Sequence, residues 1–258
     1  MEYIQKIKII TVATKESGYL KWLKESCIRN GTELIVLGMG VEWKGYITKI
    51  DLVNDFLKDQ DDRDIFCFVD AYDVIMLKNI EELKDFFIKT TNETNTKIIC
   101  SIAPRQKIGI EIIDKPIDDI FRRIFNVSDL LKHINSGCYI GYCKDLKYLS
   151  SEIMKIHKET GEVDDEKILN LFYSKNVDLV HVDEKLDFNF NCIDILDRKD
   201  YGQHSFFIHR VGNLPLINFL EENGYILTFE DKIKLFNESL EMFYKKSIYH
   251  VKQFFEQN

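Results

Sequence analysis

The sequence is constrained most by one short stretch, residues 64–75, in which an unbroken apolar run ends in two carboxylates. Ile65 to Val69 are all apolar, and a run of this length between charged residues is typical of a strand buried on both faces. Asp70 and Asp73 follow it. Open α/β sheets bind their ligands beyond the carboxyl ends of such strands. The stretch therefore predicts an α/β fold with a binding site at that edge of the sheet.

The two acids allow two interpretations. On a continuing strand, side chains three positions apart point to opposite faces, whereas a tight turn after Asp70 would place both carboxylates on one side. Carboxylates grouped in this way are costly unless positive charge accompanies them, and their oxygens suit Mg²⁺ or Mn²⁺. We therefore predict a divalent-metal site that holds a diphosphate. The alternative is that Asp70 caps a turn and Asp73 is exposed to solvent.

Composition narrows the function classes. The chain has 258 residues, 45% of them hydrophobic, which is enough for one large α/β domain or two small ones. The net charge of −8 argues against a broad nucleic-acid-binding surface, and so against a nuclease that would use the same acids. The six cysteines include no C-x-x-C pair, so we expect buried free thiols in a reducing compartment.

Neither a membrane span nor a targeting segment is predicted. No stretch is long and apolar enough to cross a bilayer, and the first residues lack the layout of a signal peptide. We therefore expect a cytoplasmic protein without a membrane partner. A lumenal location is expected only if the sequence is a fragment of a longer chain.

The first half of the chain alternates strands and helices. A strand at Lys8–Ala13 and another at Leu34–Leu37, with a helix between them, form a β-α-β unit. The glycines of Gly38–Gly45 match neither G-x-G-x-x-G nor a P-loop, so no nucleotide motif is present there. The segment follows a strand, and we predict that it is a loop at a binding position. In the helix that follows, spacing alone favours a solvent-exposed Lys49, with a phosphate contact as the alternative.

Three later segments supply further candidates. Asn135, Ser136 and Gly137 predict a turn that lets the backbone approach a ligand closely. Asp164 and Asp165 begin a helix, where one acid is enough as a cap and the other is available for a second role. A short strand ends in His209, which we expect to bind metal only if the fold brings it to Asp70 and Asp73.

The C-terminal region is predicted to be helical. Residues 231–255 place apolar side chains on one broad face. We predict a domain over residues 1–215, with 216–258 as a helical extension of the same domain. The apolar face would pack on the core or on a second copy of the chain, so a homodimer through these helices is one expectation.

Six stretches between residues 8 and 215, in a consistent order, resemble a known family. They are similar to the glycosyltransferase domain of procollagen lysyl hydroxylases and related collagen glycosyltransferases. The stretches are Ile10–Glu16, Leu37–Gly45, Phe68–Ile75, Asn135–Tyr142, Val163–Glu166 with Leu171–Tyr173, and Ile208–His209 ahead of Gly212–Asn213.

The resemblance implies a GT-A-type, Rossmann-like mixed sheet with flanking helices. It also implies a metal-dependent transferase that moves a hexose from a UDP-sugar to a hydroxyl acceptor. The acceptor would be hydroxylysine or galactosyl-hydroxylysine of a collagen-like protein. The alternative is a non-catalytic family member that binds nucleotide sugars and acts as a scaffold.

The resemblance also assigns roles to individual residues. The metal, Mn²⁺ with Mg²⁺ as the alternative, would be bound by Asp70, Asp73 and His209. Asp164, Asp165 and Asn135 would act on the sugar side. The UDP-sugar would contact Val12, Thr14, Trp43, Lys49, Tyr72 and Asp70, with Tyr72 stacked on the uracil.

Two departures from the family pattern leave the donor sugar and the acceptor open. The segment Ala103–Gln106 lacks the tryptophan that usually follows the preceding strand and helps to form the sugar pocket. Arg210 and Val211 are two additional residues between His209 and the Gly-Asn pair. Both departures favour the scaffold alternative slightly.

Overall fold

The fold is described from a computed structural model that covers residues 5–103, 133–192, 203–211, 216–238 and 241. The strands are β1 Ile7–Val12, β2 Leu34–Leu37, β3 Ile65–Val69, β4 Val74–Met76, β5 Ile98–Ile102, β6 Ile134–Tyr142, β7 Val180–Asp183, β8 Asn189–Cys192 and β9 Phe207–Arg210. The helices are α1 Leu20–Arg29, α2 Tyr46–Lys58, α3 Ile80–Thr94, α4 Cys143–Thr160, α5 Asp165–Lys175, α6 Ile217–Glu222 and α7, residues 229–238.

Two sheets form the framework. The larger has the strand order β2-β1-β3-β6-β5-β7, with β6 antiparallel to both of its neighbours and the other pairs parallel. The smaller has the order β4-β9-β8. The predicted α/β architecture with a mixed sheet and flanking helices is confirmed.

Strand β3 lies inside the larger sheet, and every one of its residues is buried. Phe66 and Phe68 pack among apolar side chains of α2, α4 and α5 on one face. Ile65, Cys67 and Val69 pack with α1 and α3 on the other. Burying a large apolar side chain contributes about 1.5–3 kcal/mol. An apolar run without alternation is therefore explained by helices on both faces.

The C-terminal segment packs against the smaller sheet. Phe219 and Leu220 of α6 and Leu235 of α7 join a cluster that includes Ile75 and Ile208. Residues 239–240 and 242–258 of the predicted extension lie outside the described residues. The division at residue 215 therefore stays a prediction.

The structure also describes membrane-spanning potential and the state of the cysteines. Within the described ranges, no helix is both long and apolar enough to cross a membrane. The cysteines Cys27, Cys67, Cys100, Cys138 and Cys143 are free thiols, and all five are buried.

Candidate functional site

The chain turns sharply between β3 and β4, and this turn carries the first aspartate pair, Asp70 and Asp73. The Asp70 amide donates to the carbonyl of Gly137 at 2.8 Å, which ties the start of the turn to β6. At its end, the Arg210 amide donates to the Asp73 carbonyl at 2.9 Å. Asp73 is only 9% exposed, so the interpretation of a solvent-exposed Asp73 is wrong. The tight turn is the correct interpretation.

The smaller sheet brings the histidine to this pair. Strands β4 and β9 are antiparallel, with Val74 opposite His209. One ligand atom each from Asp70, Asp73 and His209 lies within 4.8 Å of the others, and His209 Nε2 is 3.4 Å from an Asp73 carboxylate oxygen. We expected His209 to bind metal only if the fold brought it to Asp70 and Asp73. The fold does so, although His209 lies 136 positions after Asp73 in the chain. The three side chains form a cluster that could hold a metal ion.

Gly137 makes room for this cluster. A Cβ atom at this position would collide with Cε1 of His209 and lie 2.8 Å from Oδ2 of Asp70. The predicted turn at Asn135–Gly137 is wrong, because these residues lie inside β6. They fall at an irregularity of that strand, where its register with β5 shifts between Cys100 and Ile102. A glycine is required at this position because the side chains of His209 and Asp70 lie against the strand. From the sequence alone, the same glycine can be mistaken for a sign of a turn.

Lys49 is buried between the two groups of acids. It is 5% exposed, its Nζ lies 3.3 Å from Oδ1 of Asp70, and it forms an ion pair with Asp165. Burial alone would lower the pKa of Lys49, but the carboxylates of Asp165 and Asp70 raise it above its ordinary value. The side chain therefore stays charged, and the spacing-based expectation of a solvent-exposed lysine is wrong.

Electrostatics at the first pair favour an added cation. Burial raises the pKa of Asp70, the Lys49 ammonium lowers it, and the neighbouring Asp73 carboxylate raises it again. One lysine therefore offsets only part of the repulsion between the half-buried Asp70 carboxylate and the buried Asp73 carboxylate. A divalent ion would supply the missing positive charge, and carboxylate oxygens with one imidazole are suitable donors for it.

The second aspartate pair, Asp164 and Asp165, divides into two roles. Asp164 caps α5, because its carboxylate accepts hydrogen bonds from the amides of Glu166 and Lys167 at 3.0 and 3.1 Å. Asp165 is 5% exposed and pairs with Lys49. The sequence predicted that one acid would cap the helix and that the other would be available for a second role. The structure identifies Asp164 as the cap and leaves Asp165 for the second role.

The nucleotide-side candidates lie around the end of β1. The Tyr72 hydroxyl accepts a hydrogen bond from the Thr14 amide at 3.1 Å and donates to the carbonyl of Lys15 at 3.2 Å. Val12 ends β1 and is buried in the core. Trp43 lies in the loop before α2, is 46% exposed, and packs edge-on against Tyr46. The structure thus joins Tyr72 to the loop after β1 and leaves the Trp43 ring accessible.

Comparison with known proteins decides the family. A family model described as the PLOD GT domain matches residues 3–199, most of the chain.

The chain belongs to this family.

Curated relatives of the PLOD GT domain agree with the match at modest identity. The multifunctional procollagen lysine hydroxylase and glycosyltransferase of Caenorhabditis elegans is 27% identical over 194 residues, which is 71% of this chain and 23% of the relative. Human LH3, of the same description, is 27% identical over 198 residues, or 72% of this chain and 24% of the relative. The chain thus spans about a quarter of the length of these relatives.

Solved structures support the same fold. The galactosyltransferase LgtC, solved with donor and acceptor sugar analogs, aligns over 80% of this chain and 87% of its own, with a TM-score of 0.51 and 14% identity. Mouse xyloside xylosyltransferase 1 aligns over 82% and 99%, with a TM-score of 0.50 and 10% identity. The PLOD GT domain of this chain therefore has a GT-A glycosyltransferase fold.

Sequence reasoning missed a carboxylate in this PLOD GT domain, Glu166. Its two oxygens lie 2.8 Å from Asn135 Nδ2 and from His133 Nε2. The Asn135 side-chain oxygen in turn accepts the amide of Gly137 at 3.0 Å. Glu166 thus holds Asn135, which the resemblance placed on the sugar side, near Asp70 and His209. Its place directly after the second aspartate pair was the available signal.

Proposed function

We propose that this glycosyltransferase domain transfers a hexose from a UDP-sugar to a hydroxyl acceptor with the help of a divalent metal ion. The observation that supports this most directly is the convergence of two sites. The cluster of Asp70, Asp73 and His209 lies next to the buried Lys49–Asp165 pair. Lys49 joins the two, because it contacts Asp70 as well as Asp165. A pyrophosphate-binding position and a sugar-binding position would therefore be adjacent.

The donor atoms suit Mn²⁺ better than Mg²⁺. Asp70 and Asp73 offer carboxylate oxygens, which both ions accept, whereas His209 offers an imidazole nitrogen, and Mg²⁺ binds almost entirely through oxygen. When bound, the ion would neutralise charge on the UDP leaving group. We assign it to these three residues.

The remaining residues would bind and orient the donor. Tyr72, fixed through its hydroxyl to the loop after β1, would present its ring to the uracil, with Val12 and Thr14 beside it. Lys49 would contact the donor between the phosphates and the sugar, and Trp43 would border the pocket. Asp165, held by Lys49 and excluded from water, would accept the acceptor hydroxyl proton or stabilise oxocarbenium character in the sugar.

The acceptor is proposed by analogy with the relatives. Their names describe enzymes that modify procollagen lysine, so hydroxylysine or galactosyl-hydroxylysine of a collagen-like protein is the first acceptor to test. A cytoplasmic location and a homodimer formed through the C-terminal helices are also proposals, the second supported by the exposure of Ile233 and Phe236 on α7.

A donor screen tests the proposal. UDP release is measured from UDP-glucose, UDP-galactose and UDP-N-acetylglucosamine, with Mn²⁺ or with EDTA, beside calorimetry of UDP binding. Release from one donor that requires Mn²⁺ is the expected result. UDP binding without release from any donor, with or without a hydroxylysine acceptor, would support the scaffold alternative. Absence of UDP binding would contradict both.

A further inference from the structure

A carboxylate on α7 contacts the loop after β1. One oxygen of Glu238 accepts a hydrogen bond from the Ser17 hydroxyl at 3.0 Å, and the other accepts the Gly18 amide at 2.8 Å. These contacts join positions more than 200 residues apart in the chain. Glu238 also lies beyond residue 199, where the match to the PLOD GT domain ends.

The same loop is joined to Tyr72 on its other side. The amides of Thr14 and Tyr19 donate to the Tyr72 hydroxyl and carbonyl, at 3.1 and 3.0 Å. Gly18 has a φ of +53°, and a Cβ there would lie 2.6 Å from the Tyr72 carbonyl oxygen. Residues 14–19 thus contact Tyr72 through Thr14, Gly18 and Tyr19, and contact Glu238 through Ser17 and Gly18.

Helix α7 is itself anchored to this part of the molecule. Asp231 lies 3.2 Å from Lys21 of α1 and accepts the Thr228 amide at 3.0 Å, just before α7 begins. Leu235, 2% exposed, packs in the cluster that includes Tyr19. The Glu238 carboxylate is therefore presented to the loop by a packed helix.

We propose that Glu238 is a positioning residue that orders the nucleotide-binding loop, so that the segment after the family domain helps this chain to bind UDP. The inference rests on the proposed function, because that function assigns Thr14 and Tyr72 to the nucleotide. Glu238 accepts two hydrogen bonds from the loop and so holds residues 14–19 against Tyr72 before the nucleotide arrives. Loop order present before binding does not have to be generated during binding.

The test combines two measurements on the full chain. Amide hydrogen exchange follows residues 14–19 without ligand, and calorimetry measures UDP affinity in Mn²⁺ and the affinity for Mn²⁺ alone. In Glu238→Ala we expect exchange in the loop to become about tenfold faster, because the Gly18 amide loses its acceptor. We expect UDP to bind about tenfold more weakly, because the cost of ordering the loop then falls on binding. Mn²⁺ affinity should stay unchanged.

Two further variants separate positioning from general loosening. Glu238→Gln keeps one carbonyl oxygen as an acceptor, so its loop exchange and its UDP affinity should lie between those of wild type and Glu238→Ala. Glu221→Ala removes the ion pair between α6 and Lys232 of α7, and both measurements should stay at wild-type values. Equal effects in Glu221→Ala and Glu238→Ala would overturn the proposal, because they would come from loosening of the segment as a whole.

The remaining outcomes also decide. Unchanged loop exchange in Glu238→Ala, or faster exchange with unchanged UDP affinity, would overturn the positioning role. A wild-type chain that binds no UDP would overturn the proposed function and the nucleotide role of Glu238 with it. The exchange measurement would then still show whether Glu238 orders the loop.

Discussion

The two aspartate pairs form an instructive comparison, because the same residue type reaches opposite arrangements. Asp70 and Asp73 are three positions apart, and a turn between two strands directs both carboxylates into one cluster with His209. Asp164 and Asp165 are adjacent, and the start of α5 separates them. Asp164 binds backbone amides of its own helix, whereas Asp165 pairs with Lys49 on another helix.

The difference shows that backbone geometry, more than spacing, decides which acids act together. A carboxylate at an N-cap position is satisfied locally by free amides of the first turn. The next residue belongs to the helix proper and points away, toward α2 in this chain. The first pair has no helix N-terminus to satisfy it. Its charge is offset by Lys49, which comes from α2, and, in our proposal, by a metal ion. Four substitutions test this contrast, and their expected effects differ in size.

The largest effect is expected for Asp73→Asn in the first pair. Loss of one carboxylate from the cluster should lower Mn²⁺-dependent UDP release by about 1,000-fold, since the ion would no longer stabilise the leaving group. A coupled UDP-release assay measures this, and circular dichroism checks that the fold is retained. Release within tenfold of the wild-type rate would show that Asp73 does not bind the metal.

Asp165→Asn should come next. The amide cannot accept a proton, so transfer should fall by about 100-fold while calorimetric UDP affinity stays close to wild type. The matched control is Asp164→Asn, which keeps a good helix cap and should retain transfer. Equal losses of UDP binding and transfer in Asp165→Asn would place this carboxylate among the donor-binding groups.

Gly137→Ala tests the packing behind the first pair. The added methyl group would displace His209 or Asp70, so Mn²⁺ affinity measured by calorimetry should fall by about tenfold. Gly141→Ala lies four positions further along the same strand, and its added methyl group would crowd Leu146 and Ile98 instead of His209 and Asp70. It should lose a similar amount of thermal stability and keep its Mn²⁺ affinity. The same affinity loss in both variants would point to a general effect on β6.

The smallest effect is expected for Asp164→Ala. Removal of the α5 cap should cost about 1 kcal/mol of unfolding free energy, measured by urea denaturation, because the amides of Glu166 and Lys167 lose their acceptor. Transfer activity should remain near the wild-type rate. A loss of activity as large as that of Asp165→Asn would remove the distinction between the two acids.

Lys49 and the Asn-Ser-Gly segment show where a sequence interpretation fails. Lys49 occurs one turn into an amphipathic helix, where a lysine is normally exposed. Its burial follows from two carboxylates that arrive from β3 and α5. Asn, Ser and Gly together are typical of a turn, yet they lie inside β6 here. The glycine is explained by the ring of His209 and the carboxylate of Asp70, which occupy the space beside it. In both cases the deciding neighbours are remote in the chain.

The sequence by itself determined the buried strand with its two acids, the α/β class and, through its motifs, the family. These properties are encoded locally, because an apolar run, a cap and a motif each depend on residues close together in the chain. The resemblance to the family assigned His209 to the same metal as the first aspartate pair. Only the tertiary structure decided that these three side chains meet, that Lys49 links the two pairs, and that Glu238 contacts the loop after β1. The physical reason is that each of these contacts depends on how sheets and helices pack, and residues far apart in the chain carry no local sign of it.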